Sequence, residues 1–295
     1  MKAKADCIAC MFKQALNTAR VVTDDPQVHT DVLRRLAACL VDADLEHSPA
    51  FVSQDVYRIV TDMTGVKDPY EEHKRQSNAI ALRILPDLRE AVMTSDDPLG
   101  AAIHLAATGN TIDAGIGHAT TMQIEHDILE LLDQPFAVFD VDDFRAELGP
   151  RKRLLYLGDN AGEIVFDTVL ADLVRRTGTE VVYCVKSGPI INDATIEDAE
   201  TAVMPDFARI IETGSNDIGV NFERASREFL DAFADADLIL GKGHGNFETC
   251  NDRPENIYFL LKAKCPMVAA ELGVELGDLV FKHSRATGSR AGGNG

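Results

Sequence analysis

The chain has 295 residues, 48 acidic and 29 basic, for a formal net charge of −19. That length allows a large core and predicts two lobes, and the acidic excess argues against nucleic acid and anionic membranes as partners. No apolar run is long enough to span a bilayer, and charges interrupt MKAKADCIACMFKQ where a signal peptide needs an apolar stretch, so the expected compartment is the cytoplasm.

From about Cys7 to Asp133 apolar residues recur at spacings of three and four, as in Phe12, Ala15 and Leu16, then Val32, Leu33, Leu36 and Leu40, and later Ile80, Leu82, Ile84, Leu85 and Leu88. This predicts a multihelical domain over 1–134, with Pro26, Pro49, Pro69, Pro86 and Pro98 marking helix ends. Cys7 and Cys10 face one side of the first helix. They read either as buried thiols or as part of a metal or redox site, and no second Cys-x-x-Cys completes a zinc site. Cys39, Cys184 and Cys265 lie in apolar stretches and read as core residues. Lys74 and Asn78, four apart on one helix face, either point at substrate or brace the lobe interface. Asn110 and Asp113, in ATGNTIDAG, either line a cleft or are turn residues.

After Pro135 short apolar runs alternate with amphipathic stretches. FAVFD, RLLYLGD, EVVYCVK, RIIETG, DLILGKG, PMVAAEL and GDLVFKH read as strands, which predicts a mainly parallel, doubly wound sheet with helices on both faces over 135–284. The Gly-rich end, 285–295, reads as a disordered tail.

Ligands of such sheets sit at the carboxyl ends of the strands, and three strand ends here carry polar groups. After RLLYLGD come Asp159, Asn160 and Glu163; after EVVYCVK come Lys186, Ser187 and then Asn192 and Asp193; after DLILGKG come Lys242, Gly243, His244 and Asn246. Taken alone, Gly158-Asp159 also reads as an ordinary turn and helix cap, and GDNAGE lacks the glycine spacing of a dinucleotide loop. Jointly, two acids and an asparagine offer hard oxygen ligands for a divalent cation. The turn after Asp159 offers N–H groups to an anion, and Lys186 and Lys242 can offset phosphate charge. His244 is either a proton donor to a leaving group or incidental.

LGDNAGEIVFD, VKSGPIINDAT and GKGHGNFET, in that order, resemble the metal-dependent damage-control phosphatases, also called domain of unknown function eighty-nine. DCIACMFKQAL, DPYEEHKRQSN and ATGNTIDAG resemble that family's prokaryotic, Cys-x-x-Cys-bearing branch, so the resemblance covers about residues 5–284. It implies a Rossmann-like three-layer α/β/α domain with a mainly parallel sheet, plus an N-terminal multihelical domain. It also implies hydrolysis of phosphate monoesters, sugar phosphates or damaged metabolites, with Mn²⁺, Mg²⁺, Ni²⁺ or Co²⁺. By motif match, Asp159, Asn160 and Asp193 would hold the metal and Lys242 would contact phosphate. Glu163, Lys186, Ser187, Gly243, His244, Asn246, Asn110 and Asp113 would line the substrate site. Phe247 stands where the family often has tyrosine. The expected partner is a small phosphorylated metabolite, with water rather than Asp159 as the favoured nucleophile; the oligomeric state is not legible. Competing readings are a carboxyl methyltransferase using S-adenosylmethionine and a non-catalytic metal or redox sensor.

Overall fold

A computed structural model describes residues 1–109 and 134–284. The readings of Asn110, Asp113 and the tail 285–295 lie outside the described residues.

Helices α1 (Ala5–Val22), α2 (Pro26–Leu40) and α3 (Pro49–Thr64) form a three-helix unit. Pro26 and Pro49 each open a helix, where a missing N–H costs nothing. Asp25 and Ser48 cap those starts, accepting from the N–H groups of Gln27 and Phe51. The apolar faces meet in one core made by Met11, Ala15, Val32, Leu36, Val56 and Val60.

Helices α4 (Glu71–Thr94) and α5 (Pro98–Thr108) follow and pack elsewhere. Ile84, Leu88, Ile103 and Leu105 join the core beneath the sheet, so the helical segment divides between two cores. Pro86 does not end a helix: it lies inside α4. The residue is exposed, so its ring lies on the outer face of α4, where a helix tolerates such a defect best.

The remaining elements are β1 (Phe136–Phe139), α6 (Val141–Glu147), β2 (Arg153–Leu157), α7 (Glu163–Arg176), β3 (Glu180–Val185), α8 (Ile196–Thr201), β4 (Arg209–Glu212), α9 (Arg227–Asp235), β5 (Leu238–Lys242), α10 (Gly243–Cys250), β6 (Ile257–Lys262), α11 (Pro266–Leu272) and β7 (Leu279–His283). Seven strands form one sheet in the order β1-β7-β6-β5-β2-β3-β4. Every neighbouring pair is parallel except β6 and β7. The period of two along each strand sends Leu154, Tyr156, Tyr183 and Leu240 toward α5 and α7, and Leu155, Leu157, Val182 and Ile239 toward α9, α10 and α11. This is a three-layer α/β/α arrangement.

One expected strand is a helix. PMVAAEL begins with Pro266 at the first helical position and continues through good helix formers, and it forms α11. The strand at this point of the sheet is instead IYFLLK, β6, just upstream.

From β2 the chain winds outward to β3 and β4, then returns to β5 on the other side of β2. The crevice between β2 and β5 is therefore the switch point, where loops diverge and leave room for a ligand. Among the described residues no helix is long and apolar enough to cross a membrane.

Candidate functional site

A cavity of about 660 Å³ opens at this switch point, between the sheet and the faces of α1 and α3. Asp159, Asn160 and Glu163 line it from β2, Asn192 and Asp193 from β3, and Lys242, Gly243, His244 and Gly245 from β5. Cys7, Cys10 and Gln14 reach it from α1, and Tyr57 from α3.

Main-chain pairing brings the acids together. Ala194 N–H donates to the Asp159 carbonyl at 2.8 Å, and Ala161 N–H donates to the Asn192 carbonyl at 2.9 Å. Asn160 and Asp193 thus sit opposite one another in a short antiparallel bridge. Burial, followed by the negative charges of Glu163 and Asp193, raises Asp159 well above the ordinary carboxylate range. Burial also pushes Asp193 up to about 6, against the pull of Lys186. Like charges crowded out of water in this way favour an added cation or proton.

Beneath these acids runs a buried polar chain. Asn160 Nδ2 donates to Glu163 Oε1 at 2.9 Å and to Asp159 Oδ2 at 3.2 Å. Lys242 Nζ lies 2.7 Å from Glu163 Oε2 and donates to Asp167 Oδ1 at 2.9 Å and the Ala106 carbonyl at 2.6 Å. Tyr156 and Tyr183 donate to the two oxygens of Asp167 at 2.8 and 2.6 Å. An ammonium has three N–H donors, and all three of Lys242 are engaged by protein. Burial opposes its charge, and Asp167 and Glu163 more than compensate, leaving its pKa raised. In this arrangement Lys242 is the buried countercharge of Glu163 and Asp167 while also lining the cavity. Asp167, four residues after Glu163, was not singled out in the sequence although that spacing puts both acids on one face of α7.

Other expected positions divide. Lys186 donates to the Gly219 carbonyl and lies 3.6 Å from Asp193 Oδ2, so it supports that acid from behind. Ser187 Oγ accepts from Gly214 N–H at 2.7 Å, and Asn246 Nδ2 donates to the carbonyls of Lys242 and Gly158 at 2.8 and 3.0 Å. Those side chains tie turns together rather than face the cavity. His244 Nε2 lies 2.9 Å from the Lys262 carbonyl and 3.1 Å from Lys264 N; burial lowers its pKa. The turn after Asp159 has no N–H to give an anion at Ala161 or Gly162: the first is held by Asn192 and the second by Asn78 Oδ1 at 2.7 Å. The first turn of α10 leaves its opening N–H groups without a helical partner.

Asn78 also donates to Asp198 Oδ1 at 2.7 Å, while Lys74 lies 2.7 Å from Asp68 Oδ2, so this pair braces the structure, and neither residue lines the cavity. Of the two motif thiols, Cys7 is buried and Cys10 exposed, so they are not a buried pair. Cys265, expected in the core, lines the cavity with them.

Lys262 and Lys264, at and just after the end of β6, line the cavity without a carboxylate partner among the described residues. Lys264 holds down the pKa of Asp159, so its charge is felt at the acidic floor. Neither was singled out in the sequence.

The model of the damage-control phosphatase ARMT1-like domain matches residues 3–280. The chain belongs to that family. A damage-control phosphatase of Pyrococcus horikoshii is 34% identical over 288 residues, covering 97% of this chain and 99% of that one. A damage-control phosphatase of Archaeoglobus fulgidus is 34% identical over 287 residues, covering 96% and 99%. The crystal structure of a DUF89 family protein from P. horikoshii superposes with a TM-score of 0.88 at 32% identity, covering 96% of this chain and 99% of that one.

For this damage-control phosphatase relative, the donor set can be tested against a metal. Among the described residues no three His, Cys, Asp or Glu side chains form a metal-holding group, so two carboxylates would need Asn160 as the third ligand. They fit. Asn160 commits its Nδ2 to Asp159 and Glu163, and its Oδ1, with no hydrogen bond among the described residues, is left as the oxygen that could join the carboxylates as a ligand. Gly243, at φ +74°, packs so closely that a Cβ there would fall 2.0 Å from Asp159 Oδ2, which fixes that carboxylate. Hard oxygen donors on a rigid floor suit Mg²⁺ or Mn²⁺. Phe247 packs edge-on against Phe259 at 5.1 Å in the core, and it does not line the cavity.

Proposed function

We propose that this family member is a divalent-metal-dependent phosphatase acting on phosphate monoesters of small metabolites, sugar phosphates or damaged phosphometabolites. The observation that supports the reading is the shared floor of Asp159, Asn160 and Asp193, which lines one cavity together with Lys262 and Lys264. Asp159, Asn160 and Asp193 would hold Mn²⁺, Mg²⁺, Ni²⁺ or Co²⁺. Such an ion, when bound, neutralises phosphoryl charge and orients the ester for in-line attack.

The chain's own residues supply the rest. Lys262, Lys264 and the N–H groups opening α10 bind the non-bridging oxygens and stabilise charge as the ester bond breaks. Glu163, held by Lys242, aims Asn160. Asp159 is clamped between Gly243 and Asn160, which suits a fixed ligand better than an attacking group, so water is the nucleophile in this reading.

A panel of phosphorylated metabolites and para-nitrophenyl phosphate, crossed with the four metals, tests the proposal. Hydrolysis by the natural chain and its loss in Asp159→Asn and Asp193→Asn, both still folded, is expected. Full activity in either variant refutes the site, and tight binding of S-adenosylmethionine without metal would point to methyl transfer instead.

A further inference from the structure

Asn192 stands in the cavity with nothing to hold. It is 7% exposed, and its Nδ2 is buried with no hydrogen-bond partner among the described residues. Buried amide donors are almost always paired, because an unmade bond costs the whole desolvation of the group. The residue before it, Ile191, sits at φ +47°, in the left-handed region that β-branched residues avoid. Two adjacent unfavourable features thus occur beside Asp193, and both residues line the cavity.

The main chain holds this arrangement in place. The Asn192 carbonyl accepts from Ala161 N–H at 2.9 Å, and Asp193 N–H donates to the Ile190 carbonyl at 3.1 Å. The backbone is therefore fixed while the side-chain amide stays uncommitted. Rotation about Cβ–Cγ exchanges its N–H₂ and C=O ends, so a donor can be turned toward a bound group. Strain and unpaired polar groups concentrated at one point of a cleft are a mark of a ligand contact.

We infer that Asn192 is a substrate-contacting residue whose amide N–H donates to a phosphoryl oxygen of the ester bound beside Asp193. The assignment rests on the phosphatase reading and extends it. A neutral amide adds a donor at the acidic floor without altering the charge available to a cation. A carboxylate at the same place would repel the phosphoryl group.

The test compares the natural chain with Asn192→Ala, Asn192→Ser and Asn192→Asp in thermal melts with Mn²⁺ alone and with Mn²⁺ plus inorganic phosphate, alongside the KM for para-nitrophenyl phosphate. The Mn²⁺-induced rise in Tm should persist in Asn192→Ala. Its further rise with phosphate should shrink or vanish, and KM should increase about tenfold, as expected for one lost hydrogen bond to a charged group. Asn192→Ser, which keeps a short donor, should recover part of the phosphate response, and Asn192→Asp should lose it completely. The melting temperature without ligand should not fall in Asn192→Ala, because the group removed has no partner there. An undiminished phosphate response in Asn192→Ala overturns the assignment whatever its melting temperature. Absence of both phosphate response and hydrolysis in the natural chain with every metal removes the phosphatase reading, and this assignment with it.

Discussion

Lys242 and Glu163, one at the end of β5 and the other at the start of α7, form a buried ion pair of 2.7 Å whose carboxylate also receives Asn160. The lysine therefore acts on the cleft through an intermediary. Lys242→Met would leave Glu163 and Asp167 buried without a countercharge. We expect a loss of about 3–5 kcal/mol in urea unfolding, with activity falling because Asn160 is no longer aimed. A variant of unchanged stability would show that the ammonium is not needed by the acids.

Lys262 and Lys264 should behave oppositely. Neither has a carboxylate partner among the described residues, so Lys262→Gln and Lys264→Gln should leave Tm nearly unchanged. Each should raise the KM for para-nitrophenyl phosphate by roughly three- to tenfold, in keeping with about 1 kcal/mol for a partly exposed charge contact. Steady-state kinetics at two ionic strengths checks this, since the contribution of an exposed charge shrinks with salt.

Gly243→Ala places a methyl group against the Asp159 carboxylate and asks a non-glycine residue to hold φ +74°. The conformational cost alone is about 1–2 kcal/mol. The expected result is a chain that folds with a lowered Tm and a marked loss of Mn²⁺-induced stabilisation. Calorimetric titration with Mn²⁺ reads the second effect, and natural affinity would show that Asp159 can move aside.

Glu248 lines the cavity on α10, and burial pushes its carboxyl from 4.5 up to about 7, with the Ala50 N–H pulling the other way. A carboxyl raised on folding carries no penalty where both states are protonated, below about 4.5. The penalty grows as pH rises through that range and is full above about 7. Glu248→Gln should therefore stabilise the chain at pH 8 by on the order of 1–3 kcal/mol and have little effect near pH 4.5. Melting curves of the two proteins across that range should diverge with rising pH; parallel curves would mean that the carboxyl is solvated.

The sheet was readable because its central strands are uninterrupted apolar runs that end in Gly or Lys, as in RLLYLGD and DLILGKG. Those ends alone pointed to the region of the cleft. What failed was local competition between periods. IYFLLK and PMVAAEL are both short and apolar, and only the helix-opening proline and the paired alanines separate them. Misplacing that strand also hid its end, and with it Lys262 and Lys264. Pro86 misled for a different reason: a proline's effect on a helix depends on which face of the helix it takes, which the chain alone does not state. The countercharge role of Lys242 was not legible, because sequence shows that a charge exists but not how many acceptors surround it. Asn192 is the converse, an ordinary polar residue in a loop until its neighbours are seen to leave it unpaired.

A turn ordinarily takes its rigidity from the two elements that it joins. The one after β2 takes part of its rigidity from α4, through Asn78 and the Gly162 amide, 84 residues apart in the chain. In deuterium exchange that amide should be protected like the interior of a helix despite its place in a loop. Any change that loosens α4 will then register first at the turn from Asp159 to Gly162, before the sheet itself responds.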